Sequence, residues 1–308
     1  MKNYALAAAA FTALTACAGV SDESDGGGTT PGVTPPAPTD IPEAIAGDLR
    51  AASLSSSGET LTVQISLDSG VVNTIYERNL DYDVDGYIAF TQQNNSLNRF
   101  FTGLAAQSSD GSVQAVVVAD GGQFTKYFGG VTYQQIGRYT PSPEGPDTGL
   151  VSYAGSYAGL TNVSTRDGTA DATGANPDLL PERAGRVTGE VFLNVSFAGN
   201  AVVNGAIINR QFEDETDRVL DTVFLIPTDI DANGSFSGSA ENRAQQGIGS
   251  FSGTFGGVNA TSVAGGGCVS GGCHGLLRRW RADIRYCADA GHRGAGAAGA
   301  SGRAGRFR

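Results

Sequence analysis

The sequence predicts an all-β protein organised around a small antiparallel β-barrel, and three observations lead to this fold class. First, Gly-Ser-Phe-Ser-Gly occurs at 234–238 and again at 249–253, and the related Gly-Ser-Tyr-Ala-Gly lies at 155–159. An aromatic residue flanked by glycines fills one face of a strand, while the glycines allow tight curvature or a bulge. Second, apolar and polar residues alternate at 61–68 and 191–197, which is the period of a half-buried strand. Third, glycine supplies 45 of the 308 residues and no long helical run is present. Strongly bent strands of this kind favour closure into a barrel.

The N-terminus predicts export and a lipid anchor. Residues 1–16 have the pattern of an export signal, because Lys2 precedes an apolar run that is too short to span a bilayer permanently. The run ends in Leu-Thr-Ala-Cys at 14–17, which resembles a bacterial lipobox. That resemblance implies cleavage before Cys17, acylation of Cys17 with palmitate-type chains, and anchoring to the outer membrane on its surface or periplasmic face. A soluble secreted protein with a chance cysteine is the alternative.

Composition divides the remainder into four segments. Residues 17–42 are acidic and then proline-rich, so they bury too little apolar surface to fold and are expected to be a disordered tether. A β-rich unit is predicted at 43–145, and it ends in a proline-rich break around 140–147. The barrel is predicted at 146–266 and is followed by a segment of different composition at 267–308.

Charge is distributed unevenly along the chain. The formal net charge is −11, yet residues 267–308 contain eight Arg and two Asp, a net charge of +6. The first 266 residues therefore carry −17. Because an acidic body of this kind repels nucleic acid and anionic lipid headgroups, no nucleic-acid partner is predicted.

Four stretches of the second unit resemble the β-barrel domain of transferrin-binding-protein-B-like lipoproteins. They lie at 151–160, 202–210, 234–238 and 249–265, and the last contains Phe-Gly-Gly-x-x-Ala-x-x-x-Ala-Gly. The resemblance implies an eight-stranded antiparallel barrel preceded by a smaller β "handle" at 43–145. It also implies a binding protein rather than an enzyme, without a cofactor of its own, whose partner is a protein, haem or a metal carrier. The best-known relatives have two such lobes, and this chain has room for one.

Two loops are the predicted recognition elements, at 161–185 and 211–218, because they are long or charged and lie on a rigid sheet. The second hypothesis is a structural envelope-interaction lipoprotein with no small ligand. The third is an exported hydrolase that uses carboxylates such as Glu213 and Asp214, as paired carboxylates do in glycosidases. No catalytic residue is assigned, because both histidines lie in the last segment and no Gly-x-Ser-x-Gly motif is present.

The last segment, 267–308, does not continue the barrel pattern. It holds three of the four Cys, both His and the only Trp in an Arg/Gly/Ala-rich background. That mixture is typical of GC-rich coding sequence read out of frame, so we expect a disordered or off-frame tail, a missing last strand and an open barrel edge. The alternatives are a structural disulfide or a zinc site with candidate ligands Cys268, Cys273, His274, Cys287 and His292.

Two aspartate-rich stretches begin like calcium loops, at 81–86 and 229–234. Both lack the glutamate that a calcium loop requires at its twelfth position. They are therefore interpreted as turns between strands, and no metal ligand is assigned.

Overall fold

The computed structural model describes residues 41–84, 86–124, 126–143, 150–161, 180–214 and 218–269, together with the backbone of 272–277. Strands are the dominant element of the described chain, which has one four-residue helix and one short 3-10 turn, and this confirms the all-β prediction. The export signal, Cys17 and nearly all of the tether lie outside the described residues, as do residues 278–308. No helix in the described part of the chain is long and apolar enough to cross a membrane.

The first sheet is a seven-stranded antiparallel meander in which each strand pairs with the next one along the chain. It follows helix α1, Glu43–Ala46, and curls into a half-barrel. A pair of hydrogen bonds draws its two edges together at one end, because Asp48 N donates to Gly129 O (2.9 Å) and Gly129 N donates to Asp48 Oδ2 (3.0 Å). Its strands are β1 Leu49–Leu54, β2 Thr60–Leu67, β3 Gly70–Arg78, β4 Ile88–Gln92, β5 Phe101–Gln107, β6 Val113–Asp120 and β7 Gly129–Gln135.

The second sheet is an antiparallel barrel. Among the described residues, eight strands form a ring in the order β10-β12-β13-β14-β15-β16-β8-β9, and β9 pairs back onto β10 to complete it. The short strand β11 extends the same edge of β10 that β12 occupies. The strands are β8 Leu150–Thr161, β9 Gly185–Ser196, β10 Val202–Phe212, β11 Val219–Leu220, β12 Val223–Asp229, β13 Ser235–Glu241, β14 Gly247–Gly256, β15 Ser262–Val269 and β16 Gly272–Leu277.

The repeated glycine–aromatic motif builds the barrel interior through pairing between strands. Phe236 lies directly opposite Gly253, and Gly238 lies directly opposite Phe251. A Cβ at Gly253 would approach the Phe236 ring to 2.4 Å, so only glycine leaves space for the ring. Phe255, which is fully buried, completes the aromatic cluster, and its ring centroid lies 5.2 Å from that of Phe236. The motif therefore places each ring over a neighbouring glycine.

The end of the barrel differs from the expectation of a missing last strand. Gly272–Leu277 forms β16, which pairs with β15 on one side and with β8 on the other, so the expected open edge is filled. Cys268 is disulfide-bonded, and Cys273 lies opposite it in the register of β15 and β16. The disulfide alternative for this segment thus holds for Cys268. The zinc alternative is wrong for Cys268, because a cysteine in a disulfide offers no thiolate to a metal.

The two sheets share a core and polar contacts. Val117 and Val131 of the first sheet lie in one buried apolar cluster with Leu160 and Ala264 of the barrel. The sheets also share polar contacts at the β5–β6 turn, where Asp110 accepts hydrogen bonds from the barrel's Thr261 hydroxyl (2.9 Å) and Ser262 hydroxyl (3.0 Å). The sheets therefore pack as one unit, so residues from both can contribute to one surface.

Candidate binding surface

The two loops predicted to recognise a partner arise from the same end of the barrel. Thr161 pairs with Gly185, and Phe212 pairs with Val187 two residues further along β9. The stems of the loops touch, because Glu213 N donates to Arg186 O at 2.9 Å. Residues 162–179 and 215–217 of these loops lie outside the described residues. The described stems of the two loops therefore lie beside each other.

The first sheet also brings three of its connecting segments to this end, β3–β4, β4–β5 and β6–β7, which the sequence analysis missed. Its β6–β7 loop pairs with the barrel, since Gly121 N donates to Glu182 O (3.2 Å) and Glu182 N donates to Gly122 O (3.0 Å). A Cβ at Gly121 would lie 2.3 Å from the backbone of Arg183, so this approach depends on glycine. The Asp-Gly-Gly stretch at 120–122 therefore serves as a contact to the barrel as well as a turn.

A layer of arginines and aromatic rings fills the space between the two sheets at this end. The guanidinium of Arg183 lies 5.7 Å from the ring centroid of Tyr82 and 5.2 Å from that of Phe100, and Arg186 lies 5.0 Å from Tyr82. Each such contact contributes on the order of 0.5–2 kcal/mol, depending on how far it is desolvated. Burial raises the pKa of Tyr82, against the effect of both arginines, so its hydroxyl stays neutral. Arg186 also pairs with Asp214, which ties the stem of the second loop to this layer.

A buried ion pair fixes the β6–β7 loop from beneath. Arg99 Nη1 lies 2.5 Å from Asp120 Oδ2, and the two side chains are 4% and 1% exposed. Arg99 also donates to the carbonyl oxygens of Gln123 and Lys126, both at 3.0 Å, while Phe128 N donates to Asp120 Oδ1 at 2.8 Å. Burial raises the pKa of Asp120, and the hydrogen bonds from Phe128 and Arg99 oppose the rise. One ion pair thus holds three backbone groups of the loop in place.

Large apolar side chains stand exposed above this framework. Leu80 is 73% exposed, Leu97 68%, Phe124 49% and Tyr127 50%. Phe124 has a positive φ of 56°, which is uncommon for a non-glycine residue and is held here by the locked loop. We call this surface the composite rim. It consists of the exposed Leu80, Leu97, Phe124 and Tyr127 and the supporting Tyr82, Phe100, Arg183, Arg186 and Asp214.

Two small cavities lie inside the barrel. One of them measures about 20 Å³ and is lined by apolar groups including Tyr153, Leu225 and Phe251. A second cavity, of about 10 Å³, lies beside Tyr157. Pockets for small molecules usually have roughly 300–1,000 Å³, whereas these volumes hold about one water. Neither of these two cavities has the volume of a small-molecule pocket.

The other candidates from the sequence have structural roles. Asp83 forms an ion pair with Arg78, and Asp231 and Asn233 accept hydrogen bonds from Ser235 within a turn. Asp85 lies outside the described residues. Asp214, one of the paired carboxylates considered for hydrolysis, is engaged by Arg186. No group of three or more potential metal ligands occurs among the residues that the structure describes.

Comparison with known proteins shows a distant likeness to a solved structure. No protein-family model matches the chain, and no curated protein matches it. Among solved structures, the chain is similar to intact transferrin-binding protein B (Ap-TbpB, N and C lobes), with a TM-score of 0.34 and 14% sequence identity. The match covers 74% of this chain and 52% of that one, so this chain spans about half the length of the structure it matches.

Proposed function

We propose that this protein is a lipid-anchored envelope binding protein of the transferrin-binding-protein-B-like class, which holds a protein partner on its composite rim. The partner is a protein, including one that carries haem or a metal. An outer-membrane anchor on Cys17, followed by the acidic tether, holds the folded part away from the lipid.

The observation that carries this proposal is the set of exposed apolar side chains on backbones that are already fixed. Phe124 and Tyr127 are about half exposed, yet their loop is held by the buried pair of Arg99 and Asp120. Aromatic side chains dominate the energy of many protein–protein contacts, and a preorganised loop loses little entropy on binding. Arginines next to aromatic rings, as at Arg183, add polar contacts around such a centre.

Binding is tested with the full-length protein displayed on cells, where the rim can meet soluble partners. The probes are transferrin, a haem-carrying protein and free haem, each measured by quantitative retention. The rim variant is Phe124→Ser/Tyr127→Ser. The matched control is Val258→Ser, which removes an apolar side chain that is 58% exposed in the β14–β15 turn at the other end of the barrel.

We expect the rim variant to retain at least about tenfold less of the bound probe, because loss of a central contact residue costs about 2 kcal/mol or more. Val258→Ser should retain as much as the parent protein. Equal retention by both variants would place the binding surface elsewhere. Retention of none of the probes above background would favour the structural envelope lipoprotein that the sequence analysis left open.

The anchor is tested separately by mass spectrometry of the mature protein. The expected product begins at Cys17 and carries acyl chains on that residue. A mature product that keeps residues 1–16, or one that begins at Cys17 without lipid, would contradict the anchor while leaving the rim proposal intact.

A further inference from the structure

Arg210 is a buried cation that the composite rim does not use. It lies on β10 inside the barrel and is 7% exposed. Its Nη1 donates to the backbone oxygen of Asp221 at 2.9 Å, and its Nη2 donates to the hydroxyl of Tyr157 at a long 3.4 Å. Its Nε has no hydrogen-bond partner, and no described carboxylate forms an ion pair with it. The guanidinium is therefore buried with one donor unsatisfied and its charge uncompensated by the described chain.

A break in the strand pattern turns this side chain inward. Val203 and Ile207 face the barrel core, so regular alternation would place Asn209 inside next. Instead, the register with β9 shifts between Ile208 and Gln211, and Asn209 has a positive φ of 52°. A bulge of this kind re-aims the following side chain, and positive φ at a non-glycine residue is a form of strain that concentrates at functional sites. The backbone thus deviates from a regular strand at Asn209, and this deviation points the charged side chain of Arg210 into the barrel interior.

The neighbouring strand is shaped to receive the guanidinium. A Cβ at Gly189 would lie 3.2 Å from Arg210 Cγ and 3.2 Å from the Tyr157 ring, so the absence of a side chain there makes room for both. The guanidinium lies 5.5 Å from the centroid of that ring. The pair lies near the end of the barrel from which the two loops arise, because the next residue, Gln211, pairs with Thr188. Arg210 therefore occupies the mouth of the barrel.

The energetics require a counter-charge. Burying an unpaired ion is unfavourable, and leaving a buried donor unsatisfied adds a further cost. Burial raises the pKa of Tyr157 to about 12, against the effect of Arg210, so the phenol is neutral and does not supply a negative charge. An anion that reaches Arg210 would satisfy both its charge and its Nε–H, with the planar fork geometry that guanidinium offers to oxyanions.

We propose that Arg210 forms an anion-binding site at the mouth of the barrel that takes one oxyanion group, a phosphate or a carboxylate. The site is distinct from the composite rim, since it shares no side chain with it. It does not depend on the proposed partner or on the lipid anchor.

The test measures thermal unfolding of the full chain in sodium phosphate and in sodium chloride at equal ionic strength, with sodium acetate as a further arm. In phosphate at about ten times its Kd, we expect a saturable rise in Tm of about 3–5 °C over chloride. Arg210→Met should abolish this rise. Arg243→Met is the matched control, because Arg243 is exposed in the β13–β14 turn and carries the same charge. A rise with acetate but not phosphate identifies a carboxylate as the ligand.

An NMR measurement on the unmodified protein tests the site even if Arg210→Met fails to fold. The Nε–H resonances of the unmodified protein are followed by NMR during phosphate and acetate titrations. We expect one buried arginine Nε–H to shift saturably with the same Kd as the Tm effect. No saturable shift in either anion would overturn the site. A Tm rise that persists in Arg210→Met, or that chloride reproduces, would overturn it as well.

Discussion

The buried pair of Arg99 and Asp120 gives the strongest stability prediction, because the composite rim depends on it. Asp120→Ala removes a carboxylate that is 1% exposed and leaves Arg99, which is 4% exposed, as an unpaired buried charge. Breaking one partner of a buried pair costs about 3–5 kcal/mol. Arg99 keeps two carbonyl acceptors, at Gln123 and Lys126, so we expect a loss at the lower end, about 3 kcal/mol.

The loss is measured by urea unfolding followed by far-UV circular dichroism, with hydrogen exchange of the amides at 121–128. Those amides should lose protection, because the loop loses the acceptor for Phe128 N and the anchor for Arg99. The matched control is Asp68→Ala, which breaks the ion pair to Lys126 of the same loop, where the two side chains are 47% and 55% exposed. Loss of that exposed ion pair should lower the free energy of unfolding by less than about 1 kcal/mol.

A second variant separates the charge from the packing. Replacing both partners with apolar residues, Arg99→Met/Asp120→Leu, removes the uncompensated charge and should recover most of the lost stability. The prediction is wrong if Asp120→Ala lowers the free energy of unfolding no more than Asp68→Ala does and the loop amides keep their protection. A double variant that is less stable than Asp120→Ala alone would also contradict it.

Three further predictions concern the barrel and its junction with the first sheet. Phe255→Ala should cost about 3–5 kcal/mol in urea unfolding, because the ring is fully buried among three other aromatic rings, whereas Phe192→Ala, at a position 39% exposed on the barrel exterior, should cost far less. Equal losses would show that Phe255 does not fill the core. Partial burial raises the pKa of Asp110, but hydrogen bonds from Ser108, Ser112 and Thr261 outweigh it and hold that pKa well below the usual 3.8. The stability from Asp110 is therefore present above about pH 4 and is lost as the pH falls below that value, so Asp110→Asn should flatten stability against pH between about 5 and 2; an unchanged profile would contradict this. Cys268→Ser should lower stability by about 2 kcal/mol, and a reductant should destabilise the parent protein but not the variant; a reductant effect that persists in the variant would contradict the role of this disulfide.

The sequence was sufficient to predict the barrel strands that carry the glycine–aromatic motif, because their pattern repeats a local physical rule. A ring beside a glycine predicts a curved strand wherever it occurs, and Phe236 and Phe251 are indeed buried in neighbouring strands. The motif did not reveal that each glycine lies opposite the other strand's aromatic ring. That arrangement depends on the register of β13 and β14, which only the folded barrel specifies.

The last strand was missed for the opposite reason. The segment from Gly265 to Leu277 has many glycines and no apolar alternation, so its intrinsic strand preference is weak. In the barrel, a Cβ at Gly265 would lie 2.4 Å from Ser252 O, and Gly267 faces Ser250 O in the same way at 2.9 Å. These glycines let β15 approach β14 closely, and pairing of β16 with β15 on one side and β8 on the other overrides its weak local preference.

Local rules also failed at one turn. Asn233-Gly234 favours a two-residue turn with positive φ at both positions, yet only Gly234, with a φ of 86°, has it. Asn233 instead caps the turn, because its Oδ1 accepts from Ser235 N at 3.0 Å. Side-chain hydrogen bonding thus replaced the expected backbone geometry.

By itself, the amino-acid sequence determined the all-β fold class and the positions of most of the strands that build it. These follow from periodicity, turn residues and composition, all of which act over a few neighbouring residues. Only the tertiary structure decided which residues form the composite rim, since Tyr82 and Arg183 meet across about a hundred residues of chain. It also decided that Arg210 points inward, because a single bulge reverses the face of every residue after it.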